Sequence, residues 1–167
     1  MWGAVLAVCV LAPAAFAGGG NSSSAKQCQK DGWQTAQTDT GSNFTSNDAC
    51  TAYAAGGGVL FSPTVVPSFV VCLGSDPSYA FYFFTASGFH PNSTVAFQRG
   101  SDAFPLFTLT TDANGAAASP SYLVGAPSGG TAISAGAVGY ALGPADMTVT
   151  DAHGVHGTVT FTATCSA

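Results

Sequence analysis

Charged side chains are scarce in this chain of 167 residues. Only 7% of the residues are charged, three of them are Lys or Arg, and all eight acidic residues are aspartate because the sequence contains no glutamate. Nucleic-acid binding depends on clustered Lys and Arg that neutralise phosphate groups. The composition therefore predicts that nucleic acid is not a partner of this protein.

Long hydrophobic runs are also missing after residue 17, and a membrane-spanning helix needs about twenty apolar residues. Residues 1–17 are apolar and end in Ala15-Phe16-Ala17, the small-residue pattern of a cleavage site, before a Gly/Ser stretch. We expect a signal peptide over residues 1–17, a flexible spacer over residues 18–25 and no membrane span after cleavage. Because no Lys or Arg precedes the apolar run, an uncleaved anchor stays open as the alternative.

Motifs for catalysis are absent as well. No G-x-S-x-G element occurs, and the scattered aspartates stand mostly in turn contexts, without the positioned carboxylate pair that glycoside hydrolysis needs. Cysteines that form disulfides leave no free thiol to act as a nucleophile. The sequence therefore predicts a protein that is not an enzyme and that needs no cofactor.

The cysteines that remain after signal cleavage are even in number: Cys28, Cys50, Cys72 and Cys165. Thiols of exported proteins oxidise and persist as disulfides, so these residues predict a secreted or cell wall-associated protein. Four cysteines allow three connectivities. The pairing of Cys28 with Cys50 and of Cys72 with Cys165 is favoured because it keeps each bridge inside one proposed unit.

The first proposed unit covers residues 26–66 and is rich in turn-forming residues. Capping side chains at residues 45–48, the segment 49–55 and the glycines at 56–58 together predict one short helix. Few large apolar side chains are present, so the bridge between Cys28 and Cys50 is needed to hold the unit together.

The second proposed unit covers residues 67–167 and consists of short β-branched and aromatic runs bounded by turn residues. Alternation is clearest in Thr158-Val159-Thr160-Phe161-Thr162, which is typical of a half-buried strand. We predict a mainly β protein with an Ig-like antiparallel β-sandwich of about seven or eight strands. The predicted strands are residues 68–73, 79–89, 95–99, 106–111, 119–124, 135–142, 147–150 and 158–164.

Three stretches carry a resemblance to a known class of domain. Residues 86–95 (ASGFHPNSTV), 110–115 (TTDANG) and 148–154 (TVTDAHG) resemble the GF-PNSTV, TDANG and VTDA-G pattern of bacterial Ig-like surface domains. The resemblance covers residues 67–167. It implies a sandwich that serves as a spacer, an adhesin or a binding domain.

Two further resemblances point to secreted actinobacterial proteins. Residues 110–119 and 149–161 look like segments of neocarzinostatin-type apoproteins, which hold an apolar chromophore in a cleft; this implies a carrier. Those proteins have two short-range disulfides beside the cleft, whereas this chain has no cysteine between Cys72 and Cys165. Residues 27–53, with Gln27-Cys28, Gly32-Trp33 and Cys50, resemble the QCKNGGW element of exported proteins, which implies export and the first bridge.

One cluster of residues has metal-binding chemistry. Asp151, His153 and His156 stand together on a predicted hairpin turn, and one carboxylate with two imidazoles suits zinc or copper. The alternative is structural, with Asp151 capping the turn and both histidines in solvent.

A second candidate site is aromatic. Tyr79, Tyr82, Phe104 and Phe107 would form a ligand site if they surrounded a concavity, and this arrangement would favour a carrier of a small apolar ligand. The same rings packed inward would favour a spacer or adhesin. Our prediction is a secreted or cell-surface, non-catalytic module for binding, adhesion or structure, and its partner is a polysaccharide, an envelope protein or a small apolar ligand.

Overall fold

A computed structural model describes residues 23–72, 79–100, 102–118, 122–123, 134–135 and 137–165. The predicted signal peptide at residues 1–17 lies outside the described residues. So do residues 18–22 of the predicted spacer and most of the strand predicted at residues 119–124.

The small N-terminal unit contains the predicted helix and two shorter helical turns. Helix α1 (Ser23–Gln27) begins within the predicted spacer, a 3-10 turn covers Gly32–Gln34, and helix α2 covers Asn47–Ala55. Helix α2 begins where its capping residues indicated, because the Ser46 hydroxyl accepts a hydrogen bond of 3.1 Å from the backbone N–H of Ala49.

The predicted bridge between Cys28 and Cys50 forms the centre of this unit. Both cysteines are fully buried together with Ala36, and the side chains that pack around them are Trp33, Phe44 and Leu60. So small an apolar cluster gives little hydrophobic stabilisation by itself. The covalent link therefore supplies much of what holds α1 and α2 together.

The rest of the described chain is a β-sandwich, which confirms the predicted fold class. Its strands are β1 (Thr64–Cys72), β2 (Tyr79–Ser87), β3 (Thr94–Gln98), β4 (Phe107–Thr110), β5 (Ala117–Ala118), β6 (Tyr122–Leu123), β7 (Ser134–Ala135), β8 (Val138–Ala141), β9 (Gly143–Asp151) and β10 (His156–Ala163). All strand pairs are antiparallel.

Two four-stranded sheets make up the sandwich. In the first sheet β1 pairs with one side of β2, and β5 and β8 share the other side. The second sheet has the order β10-β9-β3-β4, and β6 and β7 form a separate pair. Strands β1 and β10 are therefore edge strands.

Strand β1 runs across the predicted boundary between the two units, at residues 66 and 67. It begins at Thr64 and contains Pro67, and its register with β2 shifts between Phe69 and Val71. Proline is tolerated on an edge strand because its missing N–H faces away from the ladder. The change of composition near Pro67 therefore falls inside a strand and not in a linker.

Strands β8 and β9 connect the two sheets with a single intervening residue, Leu142. Gly143, which begins β9, has φ of 125°, a conformation that residues with a Cβ rarely adopt. The sequence predicted one strand over residues 135–142 and the next from residue 147. In the structure β7 and β8 are separate strands, and β9 already begins at Gly143.

The core lies between the two sheets. Alternate residues of β2 face inward, so Phe84 of the first sheet is fully buried, as are Phe97 and Val149 of the second. The ring of Phe161 lies 4.8 Å from that of Tyr82 and 6.0 Å from that of Phe84, measured between centroids. Aromatic contacts across the interface therefore join the sheets.

The second predicted bridge is also present. Cys72 at the end of β1 is bonded to Cys165, which follows β10, so the disulfide joins the edge strands of the two sheets. Among the described residues, no helix has both the length and the hydropathy to cross a membrane.

Candidate functional site

The turn between β9 and β10 is built around the carboxylate of Asp151, whose side chain is fully buried. Its Oδ1 accepts backbone N–H groups of His153 at 2.9 Å and Val155 at 3.0 Å. Its Oδ2 accepts the backbone N–H of His90 at 3.2 Å and Nδ1 of the His90 ring at 2.7 Å. Asp151 thus caps its own turn and also binds the loop between β2 and β3.

The His90 ring is held between two other rings. Its centroid lies 4.0 Å from that of Phe61 and 4.1 Å from that of His153. Because an ionised carboxylate can only accept hydrogen bonds, the contact with Asp151 places a proton on Nδ1 of His90. Phe61 belongs to the segment between α2 and β1, so this stack joins that segment to the sandwich.

Gln37 attaches the small unit to the start of β10. Its amide Nε2 donates to the carbonyl of His156 at 2.7 Å, and its Oε1 accepts the N–H of His156 at 3.0 Å. Nearby, Gly41 approaches the turn so closely that a Cβ would overlap the carbonyl oxygen of Gly154. We call these contacts the junction, and its residues are Gln37, Gly41, Phe61, His90, Asp151, His153, Gly154 and His156.

Hydrogen bonding controls the charge of Asp151. Burial by itself would raise the pKa of its carboxyl, but the hydrogen bonds from the His90 side chain and from the backbone N–H groups of His90 and His153 outweigh this effect. The pKa of Asp151 therefore lies below its ordinary value, and the carboxylate is ionised at neutral pH.

The predicted metal ligands all lie at the junction. Both oxygens of Asp151 accept hydrogen bonds, and Nδ1 of His156 lies 3.1 Å from the carbonyl of Gly154. In the part of the chain that the structure describes, no group of three His, Cys, Asp or Glu side chains is arranged to hold a metal ion. Zinc or copper binding by Asp151, His153 and His156 stays a prediction from the sequence.

The four predicted ligand-binding aromatics are placed differently from one another. Tyr82 is buried and its hydroxyl accepts the backbone N–H of Thr164 at 3.0 Å, and Phe107 stacks on Phe97 with centroids 4.7 Å apart. Tyr79 and Phe104 are 51% and 79% exposed. None of the four lines either of the two concavities that are described next.

The first of these concavities lies where β8 crosses to β9 and has a volume of about 260 Å³. We call it the Arg99 groove, and it is lined by Arg99, Tyr140, Ala141, Pro144, Ala145 and Asp146. The carboxylate of Asp146 lies against the backbone of Gly100 and has no hydrogen-bond partner among the described residues.

The guanidinium of Arg99 is oriented by three hydrogen bonds. Nε and one Nη donate to the two oxygens of Asp102, both at 3.1 Å, and the other Nη donates to the carbonyl of Gly139 at 3.2 Å. A guanidinium carries five N–H donors, so about two remain for a ligand. The side chain of Arg99 is 40% exposed.

Tyr140 forms the wall of the groove and is itself fixed. Its hydroxyl donates to the backbone carbonyl of Asp146 at 3.1 Å, and its ring lies beneath the guanidinium of Arg99, 6.0 Å from ring centroid to Cζ. Burial raises the pKa of the Tyr140 hydroxyl well above its usual value. This residue therefore stays a neutral hydrogen-bond donor.

A second concavity, of about 310 Å³, lies on the first sheet and offers less chemistry. Its lining is mostly small or hydroxyl side chains from β1, β2 and β5, and Asp112 is its charged member. That carboxylate already accepts the N–H groups of Asn114 and Ala116 at 2.8 and 2.9 Å, which lowers its pKa. The Arg99 groove thus presents the more available polar groups.

Sequence reasoning missed the Arg99 groove as well as the roles of Gln37 and His90. One local signal for the groove was present, since Arg99 is the single arginine and an aspartate follows three residues later. Asp146 and Tyr140 gave no such signal. Asp146 lies near Arg99 because β9 pairs with β3, and Tyr140 lies there because β8 crosses from the first sheet to β9.

Comparison of this chain with protein-family models, with curated proteins and with solved structures found no match. The resemblances to Ig-like surface domains and to neocarzinostatin-type apoproteins stay predictions.

Proposed function

We propose that this chain is an extracytoplasmic, non-catalytic binding module that recognises an uncharged polysaccharide through the Arg99 groove. The observation that carries the proposal is that the Asp146 carboxylate, which has no hydrogen-bond partner among the described residues, lies in the same groove as the Arg99 guanidinium. The orientation of that guanidinium is fixed, and its donors are only partly used. Neighbouring hydroxyls of a sugar both donate and accept hydrogen bonds, so an acceptor beside a donor complements them.

Charge supports an uncharged ligand over an acidic one. The chain has a formal net charge of −5, and Arg99 is accompanied at the groove by two carboxylates, those of Asp102 and Asp146. An acidic polymer would be repelled by this field. A neutral polysaccharide needs only the hydrogen bonds.

The two disulfides are compatible with an extracellular protein, and a polysaccharide ligand fits a location at a cell surface. In this proposal the cluster that was predicted to bind metal has a structural role. Asp151 and the histidines hold the small unit on the sandwich, which leaves the module to act by contact.

The proposal is tested by co-sedimentation of the oxidised protein with insoluble cellulose, chitin and β-1,3-glucan. We expect the protein to be retained on at least one of them. Arg99→Gln and Asp146→Asn should weaken retention about tenfold or more, because each removes a hydrogen bond with a charged partner. Asp146→Asn breaks no hydrogen bond that the structure describes, so it should leave the fold intact.

Matched controls are available on the small unit. Lys26→Gln removes a positive charge and Asp48→Asn removes a negative one, both at exposed positions away from the groove. The controls should bind as the unaltered protein does. The proposal is wrong if none of the three polysaccharides retains the protein, or if Arg99→Gln and Asp146→Asn bind as well as the controls. Saturable uptake of an apolar dye without retention would instead favour the carrier.

A further inference from the structure

At both ends of β10, side chains of the same molecule form hydrogen bonds with the backbone groups of its outer edge. Gln37 bonds both the N–H and the C=O of His156, the first residue of the strand. Just beyond the other end, the hydroxyl of Tyr82 lies 3.0 Å from the N of Thr164 and 3.4 Å from its O. Side chains of the same molecule therefore satisfy the backbone at both limits of the edge.

Between these ends, alternate residues direct their backbone groups away from β9. In an antiparallel pair, alternate residues direct both N–H and C=O away from the partner strand. The register of β10 with β9 is continuous, and the groups of His156 point away from β9 because Gln37 binds them. Thr158, Thr160 and Thr162 must then also point theirs outward, and within the described residues these groups have no partner.

This edge lacks the features that protect other edges. Strand β1 has Pro67 and a register shift, and β4 has only four residues. Residues 158–162 of β10 contain no proline, no charge and no irregularity. Long regular edges without such protection tend to pair with another strand.

We propose that β10 pairs with β10 of a second copy of this chain, antiparallel and about a two-fold axis at Thr160. The open segment is symmetric about that residue, so Thr160 faces its own copy and Thr158 faces Thr162. Each facing pair can exchange two N–H to O=C bonds, which satisfies all the open backbone groups at once.

Side chains favour the same arrangement. The axis places Val159 of one copy opposite Phe161 of the other, and both are only partly buried in the single chain. Threonines face threonines on the outer side, and the absence of charge means that no like charges meet at the axis. The pairing would join the two second sheets into one continuous sheet.

The proposal is tested by analytical ultracentrifugation over a concentration series up to about 100 μM, where we expect a dimer. Thr160→Pro removes an N–H that points away from β9, so the fold should be retained while dimerisation weakens at least about 100-fold. Thr160→Lys places two positive charges at the axis and should have the same effect. Thr94→Lys, exposed on the inner strand β3 of the same sheet, is the control and should dimerise normally.

The register has its own readout. Thr160→Cys should cross-link two copies under mild oxidation, since facing residues of such a pair have Cα atoms about 5.5 Å apart, and Thr94→Cys should not. A monomer at every concentration overturns the proposal. So does a dimer that persists in both Thr160→Pro and Thr160→Lys. Arg99→Gln should leave the dimer unchanged, which separates this test from that of the polysaccharide groove.

Discussion

Replacing Asp151 by asparagine tests whether a buried carboxylate holds the junction together. The carboxylate accepts four hydrogen bonds of 2.7 to 3.2 Å from three residues. Asparagine can keep the two N–H groups of His153 and Val155 on its one oxygen. Its NH₂ group then faces the backbone N–H and the Nδ1–H of His90. The two hydrogen bonds from His90 are therefore lost, and donors face donors.

The magnitude follows from these losses. A hydrogen bond to a charged group contributes about 1.5–3 kcal/mol, so the two lost bonds together contribute about 3 kcal/mol or more. We therefore expect Asp151→Asn to lower the free energy of unfolding by about 3–5 kcal/mol at pH 7. Urea unfolding of the oxidised protein measures this value directly.

The same variant predicts a dependence on pH. The pKa of Asp151 is lowered in the folded state, so its contribution is fully present above the usual carboxyl pKa and is lost as pH falls through the lower folded value. The difference in stability between the unaltered protein and Asp151→Asn should be large at pH 7. It should shrink progressively below about pH 4.

Asp112→Asn is the matched control for this prediction. Asp112 also accepts two backbone N–H groups in a turn, but it is exposed, and asparagine can form the same turn. Its stability should change little. A loss below about 1 kcal/mol for Asp151→Asn, or equal losses for both variants, would refute our account of the junction.

Two further predictions concern the close approaches and the cross-links. Gly41→Ala should destabilise the junction strongly, because Gly41 has φ of 76° and a Cβ has no room beside Gly154. Gly57→Ala should cost only about 1 kcal/mol, because Gly57 has φ of 91° but open space around it. Limited proteolysis of the small unit would distinguish the two variants. Replacing Cys72 and Cys165 by alanine should lower the free energy of unfolding by about 4–5 kcal/mol, if the bridge acts by restricting the unfolded chain. Replacing Cys28 and Cys50 should lower it by about 3 kcal/mol, because that bridge closes a shorter loop. Equal losses in urea unfolding would contradict this order.

Local patterns in the sequence predicted the fold class because strands and helix caps depend on neighbouring residues. The alternation of Thr158 to Thr162 shows directly which residues face the core, and Ser46 caps α2 through a bond to a residue three positions away. The disulfide pairing could also be predicted from the sequence, because four cysteines divided between two compositional units favour one pairing.

The functional geometry depended on contacts between distant parts of the chain. Gln37 meets His156 across a separation of 119 residues, and His90 meets Asp151 across 61. Nothing local distinguishes Gln37 from any other polar residue of a turn, or His90 from a histidine in solvent. The same holds for Asp146, which lies near Arg99 because β9 pairs with β3 in the second sheet.

The sequence by itself thus determined that this is a mainly β protein cross-linked by two disulfides, because composition, alternation and turn residues act over a few positions. The tertiary structure alone decided that Asp151 and the histidines form a structural junction, that Arg99 and Asp146 share a groove, and that the backbone groups in the middle of β10 have no partner within the described part of the chain. Strand pairing and the packing of the two sheets set these features, because they bring together groups whose spacing along the chain carries no information about their distance in space.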